Sequence, residues 1–507
     1  MRMTMQPRAD LRSRLHWTVV VCSVALSGCY LYRDPVTPPP VIAASTLPLS
    51  AAVEDLDSLV TIVSEAHPNP SPRFQPLRDS LARAWPDTIS RARLARDLNR
   101  LLAVLGDGHT GLSLDGLEEE AALANGGRSW PFAVRRTVDG IIIGKVVGSD
   151  TTVLRSGDRL EAIDGMPIDS LVEEIGRAVP AELPAYRDAR VLRFFGSSLW
   201  LEGIRPPADL RITAVDGTSR SVRVLGATRQ ELQAASGAQG QPEPLTVLGV
   251  RDSVLMMDFR RMWGAPERAA FTARLDSAFE AAARTGVRAV VVDLRRNGGG
   301  DSRWGTQLLS YVTGDSLSQG VRKEWKGSRR YRMFFKSRVS PVLRYTIPFS
   351  WFDAPIGGLF SGPDGTMAVI PFTPDLPAAN PRRLERPLCL LIGPGTFSSA
   401  MMLANTARRS GVATLIGEPT GEPPNSGGEV MAFHLRRSGL TGQVSSAYFM
   451  LDEDPAGDRR GVLPHITVVP TREDIRVGRD PVMERAMACG DGAGARVLRE
   501  INSPTVP

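Results

Sequence analysis

Two apolar stretches, each running straight into glycines, constrain this chain more than anything else in it. Residues 287–294 (VRAVVVDL) open into RRNGGGD, and residues 388–393 (LCLLIG) open into PGTFSSA. A near-continuous apolar strand has no polar face to turn to water, so it calls for cover on both sides, as in a parallel sheet between layers of helix. From Leu245 onwards strand-like and helix-like patterns alternate: VLMMDF, a helical stretch over 267–284, the two apolar strands, and VATLIG. That alternation predicts an α/β layer structure.

At 507 residues the chain exceeds one compact core, and several domains are expected. Arg2, Arg8, Arg12 and Arg14 precede an apolar run, Trp17 to Leu26, that is too short to span a bilayer and ends in LSGC, Leu26 to Cys29. This resembles a bacterial lipoprotein signal (1–28), which implies cleavage before Cys29 and lipid on its thiol; a plain secretory signal is the alternative. Anchoring of that kind holds a protein to the cell envelope, periplasmic or outer surface, without spanning the membrane. Four arginines against Asp10 account for half of the formal charge of +6, which leaves too little on the remainder to argue for nucleic acid. Of the other cysteines, Cys22 lies in the signal, and Cys389, inside an apolar run, reads as a small buried hydrophobe rather than a bridge partner. Cysteine and histidine show no metal-ligand spacing.

Residues 29–48, with VTPPP at their centre, read as a proline-rich tether. Leu56, Leu59, Val60 and Val63, then Leu94, Leu98, Leu101, Leu102 and Leu105, recur at three- and four-residue spacing and predict helices. They define a helical cap domain over 49–125 that includes HPNP (67–70) and GDGHT (106–110). Over 128–228, short Val- and Ile-rich segments separated by Gly and Asp predict a β-rich domain. Its LRSGDRLEAIDGMPIDSLVEEI resembles part of a PDZ domain, a fold that binds extended peptide by adding a strand to a sheet edge; a β-rich spacer is the alternative. Residues 229–244 read as a polar linker and 245–490 as the core, within which 320–380 receive no role.

Three segments converge on acyl-transfer chemistry. The glycines of 298–300 expose backbone N–H groups as an oxyanion site requires, and Asp301 rather than Lys argues against a nucleotide loop. Ser398 falls where a helix pattern begins, and there free N–H groups favour developing negative charge. Thr396 or Ser398 as a helix cap explains the same pattern equally well. A serine nucleophile needs a base, and no lysine follows Lys336, so a Ser–Lys pair within this segment is excluded. Among the histidines, His109 leads His465, while His67 reads as structural.

DLRRNGGG, GTFSSA and LIGEPTG, in that order, resemble the core of the tail-specific (C-terminal-processing) serine peptidases. HPNP, DGHTGL and the C-terminal GVLPHITVVPTREDIRVGRDPVMERAM are similar to the branch related to the tricorn core protease, which uses His. The likeness spans roughly residues 50–490. It implies a multidomain α/β fold with a ClpP/crotonase-like α/β catalytic core, the helical cap and the PDZ-like domain. It further implies Ser398 as nucleophile, His109 as general base, the N–H groups of Ser399 and Gly299 as oxyanion hole, and Asp458 as orienting acid, with Glu453 as rival. Met401 and His465 depart from the family pattern, which has Glu and Asp there. The implied activity is hydrolysis of extended polypeptides through an acyl-enzyme, with no metal or cofactor. Rival readings are a catalytically silent peptide-binding lipoprotein and a serine esterase. Oligomeric state is not legible.

Overall fold

The computed structural model describes residues 46–490 apart from 71–72, 114–115, 237–242, 264–266, 339–358, 361, 375–378 and 455–458. Cys29, the signal, most of the tether and Asp458 therefore lie outside the described residues.

The two apolar strands sit at the centre of a six-stranded sheet. Its order is Leu245–Arg251, Val254–Phe259, Ala289–Asp293, Leu388–Ile392, Ala413–Gly417, Ile466–Thr467, parallel except for the first pair. Side chains alternate between its faces. Val290, Val292, Leu388, Leu390 and Ile392 enter one apolar core beneath the helices Glu267–Thr285, Arg303–Ser310 and Ser399–Arg409. Ala289, Val291, Cys389 and Leu391 enter a smaller core closed by the helix Pro481–Ala486. A doubly covered sheet is the physical reason these strands carry no polar face.

Cys389 departs from expectation. It is bonded to Cys489, across 100 residues, with Cα atoms 6.2 Å apart. Both sulfurs lie within the smaller apolar core. Residue spacing could not show this, because the partner arrives only when the C-terminal segment folds back over the sheet.

An antiparallel sheet stands beside the core, in the order Met367–Pro371, Arg322–Lys326, Thr441–Met450, Asn425–His434. The helices Leu49–Ala66, Phe74–Ala84 and Arg91–Ala103 share their apolar core with this sheet: Leu56, Leu98 and Leu102 meet Phe433, Leu440 and Val444. Part of 320–380 gains a structural place here, since Arg322–Lys326 is a strand of the sheet and Tyr331 and Phe334 enter the same core. Immediately after His109, the short strand Gly111–Leu112 pairs with Thr441–Met450, Leu112 opposite Gly442.

The third sheet has the strands Phe132–Thr137, Gly140–Val146, Arg159–Ile163, Ala208–Thr213 and Ser219–Val224 in that order, and its own core of Ile143, Ile163, Leu199 and Leu210. Residues 229–236, read as linker, instead form the helix Arg229–Ser236. Reciprocal bonds open it: Thr228 N–H donates to Glu231 Oε2 at 2.8 Å and Glu231 N–H donates to Thr228 Oγ1 at 3.3 Å. No helix among the described residues is long and apolar enough to cross a membrane.

Candidate active site

The serine turn is built onto the glycine loop. Phe397 N–H donates to Asn297 O at 3.0 Å, and Thr396 Oγ1 donates to Leu294 O at 2.9 Å while accepting from Gly393 N–H at 3.1 Å. Thr396 thus ties the two strand ends together. Ser398 is the residue before the helix Ser399–Arg409, at φ 54°, ψ −129°, and its side chain makes no capping hydrogen bond. Positive φ at a non-glycine residue is uncommon and costs about 1–3 kcal/mol. The capping alternative therefore loses its geometric basis: the hydroxyl stands free of the helix in a strained backbone at a helix N-terminus.

Gly299 closes on it. At φ 93°, a Cβ there would lie 2.5 Å from Ser398 Cβ and 2.8 Å from Ser399 N, so only glycine fits. Its own N–H donates to Asn297 Oδ1 at 2.9 Å, and Asn297 is fully buried. Ser399 Oγ donates to Gly300 O at 2.6 Å, fixing the helix start against the loop.

The histidine arrives from a segment almost three hundred residues upstream. His109 is 8% exposed, and its ring lies against Phe397, centroids 4.7 Å apart; Phe397 in turn stacks on Tyr186 at 4.3 Å. The turn carrying it is tied from below by Asp107, whose Oδ1 accepts from His109 N–H at 2.9 Å and whose Oδ2 accepts from Thr110 Oγ1 at 2.5 Å. His67, of HPNP, sets its Nε2 3.2 Å from Asp107 Oδ2 and accepts from Asn69 N–H at Nδ1, which places its proton on Nε2. Hydrogen bonding and charge from His67, His109 and Thr110 outweigh burial and hold the Asp107 carboxyl well below the usual carboxylate range.

Glu422 was not anticipated. It follows LIGEPTG directly, is 1% exposed, and accepts from Ser398 N–H through Oε2 while Oε1 lies 3.3 Å from His109 Nδ1. That second approach is not aligned for a hydrogen bond, so Nδ1 counts among the buried atoms without a partner. Burial, and secondarily the charge of Asp107, push its carboxyl upward, against the pull of His109, Ser426 and Ser398 N–H. A buried acid touching both the serine and histidine segments is visible only in three dimensions; in sequence it is one glutamate between glycine and proline. From the β-rich sheet's side, Glu182 Oε2 accepts from Gly108 N–H at 3.0 Å. Burial first, then Glu422 and Asp107, raise its carboxyl well above the usual range.

The other sequence candidates lie apart. Glu453 is exposed. His465 Nδ1 accepts from Leu415 N–H at 2.9 Å, at the margin of the parallel sheet, and burial followed by Arg408 lowers it to about 4. It is a sheet-edge residue here. Met401 is buried in the main core.

The sequence of residues 257–468 matches the model of peptidase family S41. No curated protein matches the chain by sequence. Among solved structures, mature CPAF is similar at 17% identity and TM-score 0.61, covering 90% of this chain and 99% of that one. Mature CPAF complexed with lactacystin is similar at 16% identity and TM-score 0.61, covering 89% and 99%. The photosystem II D1 C-terminal processing protease is similar at 16% identity and TM-score 0.37, covering 83% and 93%. At these identities the likeness to mature CPAF speaks to fold alone: a mixed α/β multidomain arrangement. The family match lies over the glycine loop and the strained serine, so residues 257–468 carry the pattern of peptidase family S41 and support a serine-type peptidase, a hydrolase.

Proposed function

We propose that the protein hydrolyses peptide bonds in extended or unfolded polypeptides through an acyl-enzyme, with Ser398 as nucleophile and His109 as general base. The observation that carries this is convergence. A strained serine whose hydroxyl is not spent on capping shares one buried acid, Glu422, with an imidazole that enters from almost three hundred residues upstream.

In this reading Glu422 faces Nδ1 of His109, which leaves Nε2 to take the Ser398 proton as Oγ bonds to the substrate carbonyl carbon. The resulting oxyanion is held by the N–H of Ser399 and, once released from Asn297 Oδ1, that of Gly299. His109 returns the proton to the leaving amine as the C–N bond breaks, and water cleaves the ester by the reverse roles. Glu422 takes the orienting part that sequence assigned to Asp458. The residues over 128–228 act as a PDZ-like module presenting a chain end, on a ClpP/crotonase-like core capped by the N-terminal helices. Cleavage before Cys29 and its lipidation hold the enzyme to the cell envelope, its contact with the membrane confined to that anchor.

A fluorophosphonate probe tests the nucleophile: adduct on Ser398 in the native chain and none in Ser398→Ala is the expected outcome. His109→Ala is expected to lose at least about 10²-fold in kcat with its thermal midpoint retained. Wild-type turnover from a folded His109→Ala chain would rule this base out. Comparing a peptide library with simple acyl esters separates peptidase from esterase action.

A further inference from the structure

Around the turn that carries His109, the fold gathers the one group of ligand-type side chains, among the described residues, close enough to share a cation. Asp107, His109 and Glu182 each offer a donor atom, all within 4.8 Å of one another. They come from two separate parts of the fold: Asp107 and His109 from the helical side, Glu182 from the β-rich side.

A second observation points to a ligand. His109 Nδ1 and Glu182 Oε1 are both buried and make no hydrogen bond, and His109 is 8% exposed. Glu422 faces Nδ1 in the catalytic reading, but Glu182 Oε1 has no such partner, and native interiors rarely leave such an atom unpaired without a use for it. Glu422 Oε1, also buried, lies 3.3 Å from the same Nδ1. One imidazole nitrogen with carboxylate oxygens is a zinc-type donor set, completed to four by Glu422 or water. Calcium and magnesium ask for six or more oxygens, which this cluster does not supply. Tetrahedral bonds of about 2.0–2.2 Å put donors roughly 3.3–3.6 Å apart, so the widest separation must close by about an ångström. Side-chain rotation at Glu182, whose Oε1 is unengaged, supplies such a movement.

We propose that Asp107, His109 and Glu182 form a binding site for a zinc-class divalent cation that turns the peptidase off. The switching part rests on His109 being the base; the binding part does not. The chemistry follows from the tautomer. A neutral imidazole carries one N–H, and with Nδ1 bound to the cation that proton sits on Nε2, which then cannot accept from Ser398. Zinc occupancy and catalysis therefore exclude each other at one ring.

Calorimetric titration of zinc chloride into the mature chain carrying Ser398→Ala, which requires no activity, tests binding. One equivalent per chain is expected, with at least about tenfold weaker affinity when Glu182→Gln is added, in line with loss of one ligand. Glu182→Asp, which keeps the charge but shortens its reach, is the second variant and is expected to fall between. In the Ser398 enzyme, turnover should fall as zinc is added and return with a chelator. The inhibition curve of Glu182→Gln, read against its own zinc-free rate, should shift by the factor measured calorimetrically. Absence of heat up to millimolar zinc, or equal affinity in the chain and both Glu182 variants, overturns the site. Stoichiometric binding with unchanged turnover overturns the switch. A chain without any turnover or probe labelling sinks the peptidase reading instead, and the calorimetry still decides the metal.

Discussion

Ser398 and Glu422 show how much a single position can hide. Ser398 is a candidate from its place at a helix start, and only the structure shows its backbone at φ 54° and its side chain free of a capping bond. Glu422 had no sequence signal of its own, and its importance comes from touching two segments at once. Glu422→Gln keeps the shape but removes the charge. It is expected to lower kcat by about 10²-fold or more with KM little changed, Glu422→Asp recovering part of the loss; an equal rise in KM would indicate a packing role. His465 makes a different prediction, about stability. Its folded value of about 4 lies below the ordinary imidazole value of 6.5. Between those values the unfolded chain binds the proton and the folded chain does not, so stability is full above about pH 6.5 and declines as pH falls toward 4. Since the ring is partly exposed, the effect is discounted to roughly 1 kcal/mol. Thermal midpoints at pH 7 and pH 5 should differ less in His465→Gln than in wild type.

Among elements, the sheet strands were the most legible. Residues 287–294 and 388–393 were read as doubly buried strands, and both are central, because a strand without a polar face has few alternatives. The helix pattern of Leu94 to Leu105 likewise corresponds to Arg91–Ala103, opened by Ser90 accepting from Arg93 N–H. The two-residue strand Gly111–Leu112 was not legible in its pairing, yet it fixes the His109 turn to Thr441–Met450. A Cβ at Gly442 would lie 2.7 Å from Gly111 O and 2.7 Å from Phe433 Cζ. Gly442→Ala is therefore expected to push that strand away and cut kcat at least about tenfold, with smaller loss of global stability, measured as turnover beside the thermal midpoint. Gly299→Ala, forced against Ser398 and into an unfavourable φ, should cost about 1–3 kcal/mol and most of the activity. Retained full activity in Gly299→Ala would show that the loop does not close on the serine in solution.

On the scale of the whole molecule, the long-range closures matter most. His109 and Ser398 stand almost three hundred residues apart in the chain, and Cys389 and Cys489 are joined over a loop of 100 residues. Closing so long a loop limits the unfolded ensemble, and losing the link costs about 4–5 kcal/mol in the chain-entropy picture. Cys389→Ser with Cys489→Ser should lower the thermal midpoint by several degrees under oxidising conditions. In wild type, a reductant should produce the same change; an unchanged midpoint in both would mean the bridge contributes nothing. What the sequence determined by itself was whatever local physics can express: apolar runs that must be buried, helix periodicity, glycines placed for backbone approach, and the absence of lysine after position 336. Which acid lies beside the histidine, which cysteine finds a partner, and whether the serine side chain caps its helix were decided only by folding. Each depends on atoms distant in the chain meeting within a few ångströms, and residue order carries no direct record of that.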